Sequence, residues 1–262
     1  MLFSNVTIGA DPELFIVDTT NANKVISSIG MIPGEKGKPY TKGMDPGYGV
    51  EIDNILGEFN IPPAHNQSEF VQSILYMQNW IRDFVKKVNP AFDIQCIASR
   101  IVDEDQLNHP IAKLFGCSID FNVYTESPNE KPKGENTNLR SAGFHVHIGY
   151  RNPNTPQSLE LVKYLDAYLG LYSVTVDTDK NRRSLYGKAG CFRLTPYGVE
   201  YRVLSSYMMS SRALIAEVYD RTIKAICACE QEWGIPDPDE VITTINTSDA
   251  LRAKALIKEY EL

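Results

Sequence analysis

Five apolar runs in this chain each carry two polar side chains at positions i and i+2: Asp11/Glu13, Glu58/Asn60, Asp120/Asn122, His145/His147 and Glu200/Arg202. In a pleated strand, residues two apart project from the same face. Each run therefore predicts a β-strand with one apolar face and one face kept for the polar pair. A sheet face that merely met water would carry assorted Thr, Lys and Ser. This one collects carboxylates, imidazoles and an arginine, and adjacent carboxylates repel and are costly to bury unless a cation lies between them. The clearest run is Ala142 to Tyr150, where Phe144, Val146 and Ile148 take one face and two of the four histidines take the other. Neutral imidazole is a ligand for divalent metals and a donor to phosphate. On that stretch alone, a half-buried strand that happens to bear two histidines is the competing reading.

Length and charge narrow the setting. A chain of 262 residues can bury a large core. Its net charge of −7, with no basic block, argues against nucleic acid as a partner. No apolar run approaches the ~20 residues of a membrane span, and the opening Met1-Leu2-Phe3-Ser4-Asn5 lacks the features of a signal peptide. Five scattered cysteines without a C-x-x-C suit reduced thiols and a cytoplasmic location better than a disulfide framework.

The periodicity then sets out the elements. Strands are expected over 6–17, 24–29, 50–61 (with a kink near Gly57), 93–102, 117–124, 142–150 and 199–204. The clearest helix is Ser68 to Val88, with a stripe of Phe70, Ile74, Met77, Ile81, Phe84 and Val88, stopped by Asn89-Pro90. A second helix, capped by Thr155 with Pro156 at its first position, runs to about Val176. A short helix is expected over 104–115, a third long one over 214–233, and one or two more in the tail from about 236 to 262. The Gly30–Gly49 segment is a loop rich in Gly, Pro and Lys, and Lys38 before Pro39 excludes a P-loop. Either it closes over a nucleotide or it simply connects two strands. The polar run 126–138 reads as a mobile loop. Between Arg182 and Arg193 lie three arginines, Lys188 and two glycines; arginine forks suit phosphate or carboxylate, and a solvated Gly-rich loop is the alternative.

Hard oxygen ligands with one or two imidazoles fit Mg²⁺ or Mn²⁺ better than structural zinc, which favours cysteine. Two or more such ions with arginines would clamp the terminal phosphates of a nucleotide.

In order along the chain stand Gly9-Ala10-Asp11-Pro12-Glu13-Leu14-Phe15, Asp53-Asn54, Glu58-Phe59-Asn60-Ile61-Pro62-Pro63, His145-Val146-His147-Ile148-Gly149, Leu185-Tyr186-Gly187-Lys188-Ala189-Gly190 and Gly198-Val199-Glu200-Tyr201-Arg202. This ordered set resembles the carboxylate–amine ligases of the glutamine synthetase fold, a group that includes glutamate–cysteine ligase. It is most similar to the phage-type amidoligase branch, COOH-NH2 ligase type 2. The resemblance implies an α+β fold, with a curved, mostly antiparallel sheet and helices on its convex face, and one catalytic domain over 1–262. It implies Asp11, Glu13, Glu58, His145 and Glu200 as metal ligands. His147, Arg193 and Arg202 would meet ATP phosphates or an acyl-phosphate, with Arg183 and Lys188 as further contacts. Glu58, Arg193 and Arg202 would carry the chemistry. Asp53, Asn60, Asp120 and Asn122 share the polar face and would shape a substrate pocket. The implied reaction uses ATP and Mg²⁺ or Mn²⁺ to join a small-molecule or peptide carboxylate to an amine, in the cytoplasm of a host cell if the chain is phage-encoded. A phosphotransferase of the related guanidino-kinase type, a metal-dependent hydrolase and a non-catalytic nucleotide- or metal-binding protein are the competing readings. Oligomeric state stays open.

Overall fold

The computed structural model describes residues 3–113, 120–129 and 137–262. Its first half runs β1 (Thr7–Asp18), β2 (Lys24–Ile26), β3 (Gly49–Asp53), β4 (Leu56–Ala64), α1 (Gln67–Val88), β5 (Phe92–Gln95), β6 (Ser99–Ile101), β7 (Phe121–Asn122) and β8 (Ser127–Pro128). The second half runs β9 (Leu139–Ser141), β10 (Phe144–Gly149), α2 (Thr155–Leu165), α3 (Leu171–Val176), β11 (Cys191–Thr195), β12 (Gly198–Tyr201), α4 (Arg212–Glu230), α5 (Pro238–Thr247) and α6 (Ala250–Glu259).

The main sheet is antiparallel in the order β3-β4-β1-β10-β12-β11-β7-β8, with β2 and β5 paired to the far half of β1. The architecture is thus mixed α+β with an open, mostly antiparallel sheet. Pro12 is tolerated inside β1 because pairing to β10 ends there, at Pro12 opposite Phe144. A proline donates no ladder hydrogen bond and belongs where a ladder stops.

Alternation decides the faces. Ile8, Ala10, Leu14 and Ile16 of β1 enter one buried core with Phe70, Ile74, Met77 and Ile81 of α1, Leu161 and Leu165 of α2, and Ile215 and Val218 of α4. Each of these side chains larger than alanine is worth roughly 1.5–3 kcal/mol when removed from water. The opposite face of β1 carries Asp11 and Glu13, then Phe15 and Val17, which join a second apolar cluster with Val102, Leu107 and Ala112. The polar face is therefore closed at one end and open in the middle.

Several boundaries differ from expectation. The run 50–61 is a hairpin that turns at Asn54, which adopts φ 57°, and not one kinked strand; an asparagine tolerates the left-handed region that this turn needs. The run 93–102 splits into β5 on β1 and β6 on β9. The expected helix 104–115 gives two 3₁₀ turns, Glu104–Gln106 and Pro110–Lys113, and its end lies outside the described residues, as do 117–119 of the next strand and 130–136 of the 126–138 loop. Ser127 and Pro128 of that loop pair with β7. In α1, Val85 completes the buried stripe and Val88 is exposed. The cap of α2 is Asn154, whose side chain accepts from Gln157 N, not Thr155. After Leu165 the helix passes through a π-turn, Asp166–Gly170, before α3. The third long helix ends at Glu230, before Trp233. Within the tail, α6 packs on α3, and Ser248 and Asn246 reach back to the Arg182–Gly190 loop.

Candidate active site

Strand register assembles the site. Glu51 stands opposite Glu58, and Glu58 opposite Glu13, across β3, β4 and β1. On the other side of β1, Asp11 stands opposite His145, while His147 faces Glu200 and Glu200 faces Arg193 across β10, β12 and β11. A band of acids and bases thus crosses six strands on the face away from the main core.

Asp11 lies between the two imidazoles. Its Oδ1 is 3.1 Å from His145 Nδ1 and 3.1 Å from His147 Nε2. Burial alone would raise the Asp11 pKa, but the charges of His147 and His145 outweigh it and hold the carboxyl well below the usual range. For His147 the same pair works in reverse: burial favours the neutral ring, Asp11 favours the imidazolium, and the pKa ends raised. His147 Nδ1 is 2.8 Å from the Tyr197 hydroxyl, and the two rings stack. Glu200 is wholly buried and takes Arg193 Nε (2.6 Å) and Nη2 (2.5 Å) on Oε2 and Arg202 Nη1 on Oε1.

Like charges directly opposite in a sheet destabilise it, and the Glu51–Glu58–Glu13 row meets that problem with a lysine. Lys36 Nζ lies 2.5 Å from Glu58 Oε2, 2.7 Å from Asp53 Oδ2 and 3.9 Å from Glu51 Oε1. Burial would lower its pKa, yet Glu58, Asp53 and Glu13 raise it. Burial and neighbouring carboxylates still push Glu13 and Glu58 up. Glu13 also accepts from Gly143 N at 2.6 Å.

Among the described residues, two groups have donor atoms gathered closely enough for one ion: Asp11, His147 and Glu200, and Glu13, Asp53 and Glu58, with the atoms of each within 4.8 Å of one another. The first fits a divalent metal with Glu200 shared, since Arg193 and Arg202 already hold both of its oxygens. His147 Nε2 is buried there with no hydrogen-bond partner of good geometry, and its other nitrogen is oriented by Tyr197, as metal-ligating histidines commonly are. The second does not fit a free ion, because the Lys36 ammonium already lies among its oxygens.

Two cavities meet at this band. The larger is lined by Asp11, Lys36, Glu51, Glu58, Asn60, His145, Arg193 and Arg202. A second, much smaller one shares His145 and Arg202 and adds Glu13, Asp53, Asp120, Arg140, Arg182 and Tyr186. Asp120 Oδ2 is 3.8 Å from Arg202 Nε.

The structure therefore brings together Asp11, Glu13, Asp53, Glu58, Asn60, Asp120, His145, His147, Arg193, Glu200 and Arg202. Three expected contacts lie elsewhere. Arg183 is buried against the Gly187 carbonyl and the hydroxyls of Ser248 and Ser173, and burial beside Arg182 pulls its pKa down to about 10. The Asn122 side chain donates to Ala189 O and accepts from Tyr124 N, which holds the β7 turn. Lys188 is exposed and lines neither cavity.

Sequence reasoning missed Lys36, Glu51, Arg140, Arg182 and Tyr197. Glu51 had the i, i+2 signal with Asp53. Gly187, at φ 73°, was a signal for Arg182: a Cβ there would lie 1.6 Å from Arg182 Nη1, so only glycine lets the guanidinium pass. Among the described residues, no helix is long and apolar enough to cross a membrane. No curated protein matches the chain. Residues 135–224 match the family model described as phage phiEco32-like COOH.NH2 ligase-type 2, which supports the branch that the motif order resembles.

Proposed function

We propose that this chain, working as one catalytic unit, is an ATP-dependent carboxylate–amine ligase of glutamine synthetase-like fold that forms an amide through an acyl-phosphate. The observation that carries the reading is the meeting of two cavities at His145 and Arg202, one rich in carboxylates and imidazoles with Arg193, the other lined by Arg140 and Arg182. Nucleotide phosphates enter the larger cleft, where Arg193 and Arg202 turn their forks from Glu200 toward phosphoryl oxygens. The substrate carboxylate enters the smaller one, so the reacting oxygens meet beside Arg202. A divalent ion held by Asp11, His147 and Glu200 supplies, when bound, neutralisation of the anionic charge that gathers there. Glu13 lines the second cavity with a raised pKa, which suits it to take the proton that the attacking amine must lose.

The test supplies ATP, Mg²⁺ or Mn²⁺ and a pool of amino acids and polyamines, with products followed by mass spectrometry. ADP, phosphate and a new mass short by one water are expected, all reduced by about 10²–10³-fold in Asp11→Asn. AMP with pyrophosphate would sink the acyl-phosphate step, and a stable phosphorylated product would favour the phosphotransferase.

Metal affinity should depend on pH with a definite sign. His147 has a raised pKa, so below that value the ring is an imidazolium whose Nε2 proton must leave before a metal binds; Asp11, with its lowered pKa, stays ionised throughout. Mn²⁺ affinity should rise as pH rises toward the raised value, by up to about tenfold per unit. Titration calorimetry from about pH 6 to about pH 8 checks this, and a flat profile would remove His147 from the ligand set.

A further inference from the structure

The turn from Gly34 to Tyr40 is hydrogen-bonded to β3 after Lys36 and packed closely against it before. Gly37 N donates to Glu51 Oε2 at 3.0 Å, Glu35 and Lys38 exchange backbone hydrogen bonds, and Tyr40 and Val50 do the same. Gly34, at φ 91°, lies so close that a Cβ would sit 2.4 Å from Val50 O. A flexible lysine on a loose loop would sample solvent; this one is delivered by a pinned turn to a point between Glu58 and Asp53. Those oxygens, with Glu13, form one of the two groups among the described residues that are compact enough for an ion. An ammonium 2.5 and 2.7 Å from two of these ligands leaves no room for a metal there.

We infer that Lys36 is the resident cation of the Glu13–Asp53–Glu58 group, so that the chain holds one divalent ion, on Asp11, His147 and Glu200, where two or more were expected. Lys36 lines the same cleft as Arg193 and Arg202, and is there the second positive centre beside the terminal phosphate. That last role rests on the ligase reading; the ion count does not.

The experiment is Mn²⁺ stoichiometry on the full chain, by native mass spectrometry and calorimetry. Wild type should bind one ion, Lys36→Arg one, and Lys36→Met two. Two ions or none in wild type, or still one in folded Lys36→Met, would overturn the inference. If Lys36→Met does not fold, Asp53→Asn decides, because Asp53 holds the lysine and not the ion. It should keep the single ion within about threefold in affinity, whereas loss of a true ligand's support costs about 10–100-fold; a loss of that size in Asp53→Asn overturns the inference. ADP and amide formation, measured separately, judge the ligase reading: turnover with two bound ions would sink the inference alone, and one ion without any nucleotide turnover would sink the reading alone.

Discussion

Asp11→Asn should strip the divalent ion from the protein and lower turnover by about 10²–10³-fold, the usual scale for losing one charge-stabilising group in a buried site, while the chain stays folded. The amide is nearly isosteric with the carboxylate, so the packing of β1 against β10 survives. What disappears is the charge that both imidazoles face at 3.1 Å. A neutral amide is a poor partner for a divalent cation, and the two remaining donors, His147 and Glu200, do not make a site alone. Without nucleotide, Glu200 keeps its two arginines in wild type and variant alike, so ion loss measured in the absence of ATP reports on the ion and not on a collapse of the arginine pair. A second readout separates this from a merely structural effect. Burial pulls the His147 pKa down and Asp11 is the main influence raising it, so the variant's His147 should titrate lower than in wild type. Histidine NMR and Mn²⁺ calorimetry on the same sample check both points. A variant that binds Mn²⁺ as wild type does, with an unmoved His147, would place the ion elsewhere.

The legible part of the site was its facing; the illegible part was what reaches it from outside the strands. Period-2 reading assigned Phe144, Val146 and Ile148 to the core and the two histidines to the other face, and the structure does the same. It could not see register. Glu13, Glu58 and Glu51 lie far apart in sequence and become neighbours only through the β1–β4–β3 pairing, and the matched span 135–224 contains none of them. Nor does local pattern reveal that a lysine in a Gly-rich loop is pinned into an acid group. The same blindness worked against Arg183 and Asn122: a basic, Gly-rich stretch looks alike whether its guanidinium meets phosphate or, as here, buried carbonyls and hydroxyls. In the hairpin, the break in alternation at Asp53-Asn54 and Ile55-Leu56 reads equally as a kink near Gly57, which hid a turn that needed only the left-handed tolerance of Asn54.

Asp166→Ala should be the most destabilising single change outside the metal ligands, by about 3–5 kcal/mol. Asp166 opens the π-turn and is wholly buried. Its Oδ1 accepts from Tyr201 at 2.7 Å, and its Oδ2 from Tyr124 at 3.0 Å and from Gly190 N at 2.6 Å. One side chain thus joins the helix layer, β12 next to Glu200 and Arg202, the turn after β7, and the loop that carries Gly187. Alanine leaves those donors without an acceptor, and each buried orphan costs about 1–3 kcal/mol, a large share of a total stability near 5–15 kcal/mol. The pH dependence has a fixed sign. Burial pushes the Asp166 pKa up to about 7 against the pull of its three donors, whereas an unfolded aspartate ionises near about 3.9. The folded chain therefore holds this proton more tightly. The stability it contributes is complete below the unfolded pKa and is lost as pH rises through about 7. Asp166→Asn has no proton to release, so between about pH 4 and about pH 7 its stability should fall less steeply than that of wild type. Urea unfolding midpoints across that window measure both effects. An alanine variant within about 1 kcal/mol of wild type, or an asparagine variant with an unchanged pH slope, would mean that the carboxyl is not the tie between the helix layer and the strand that carries Glu200.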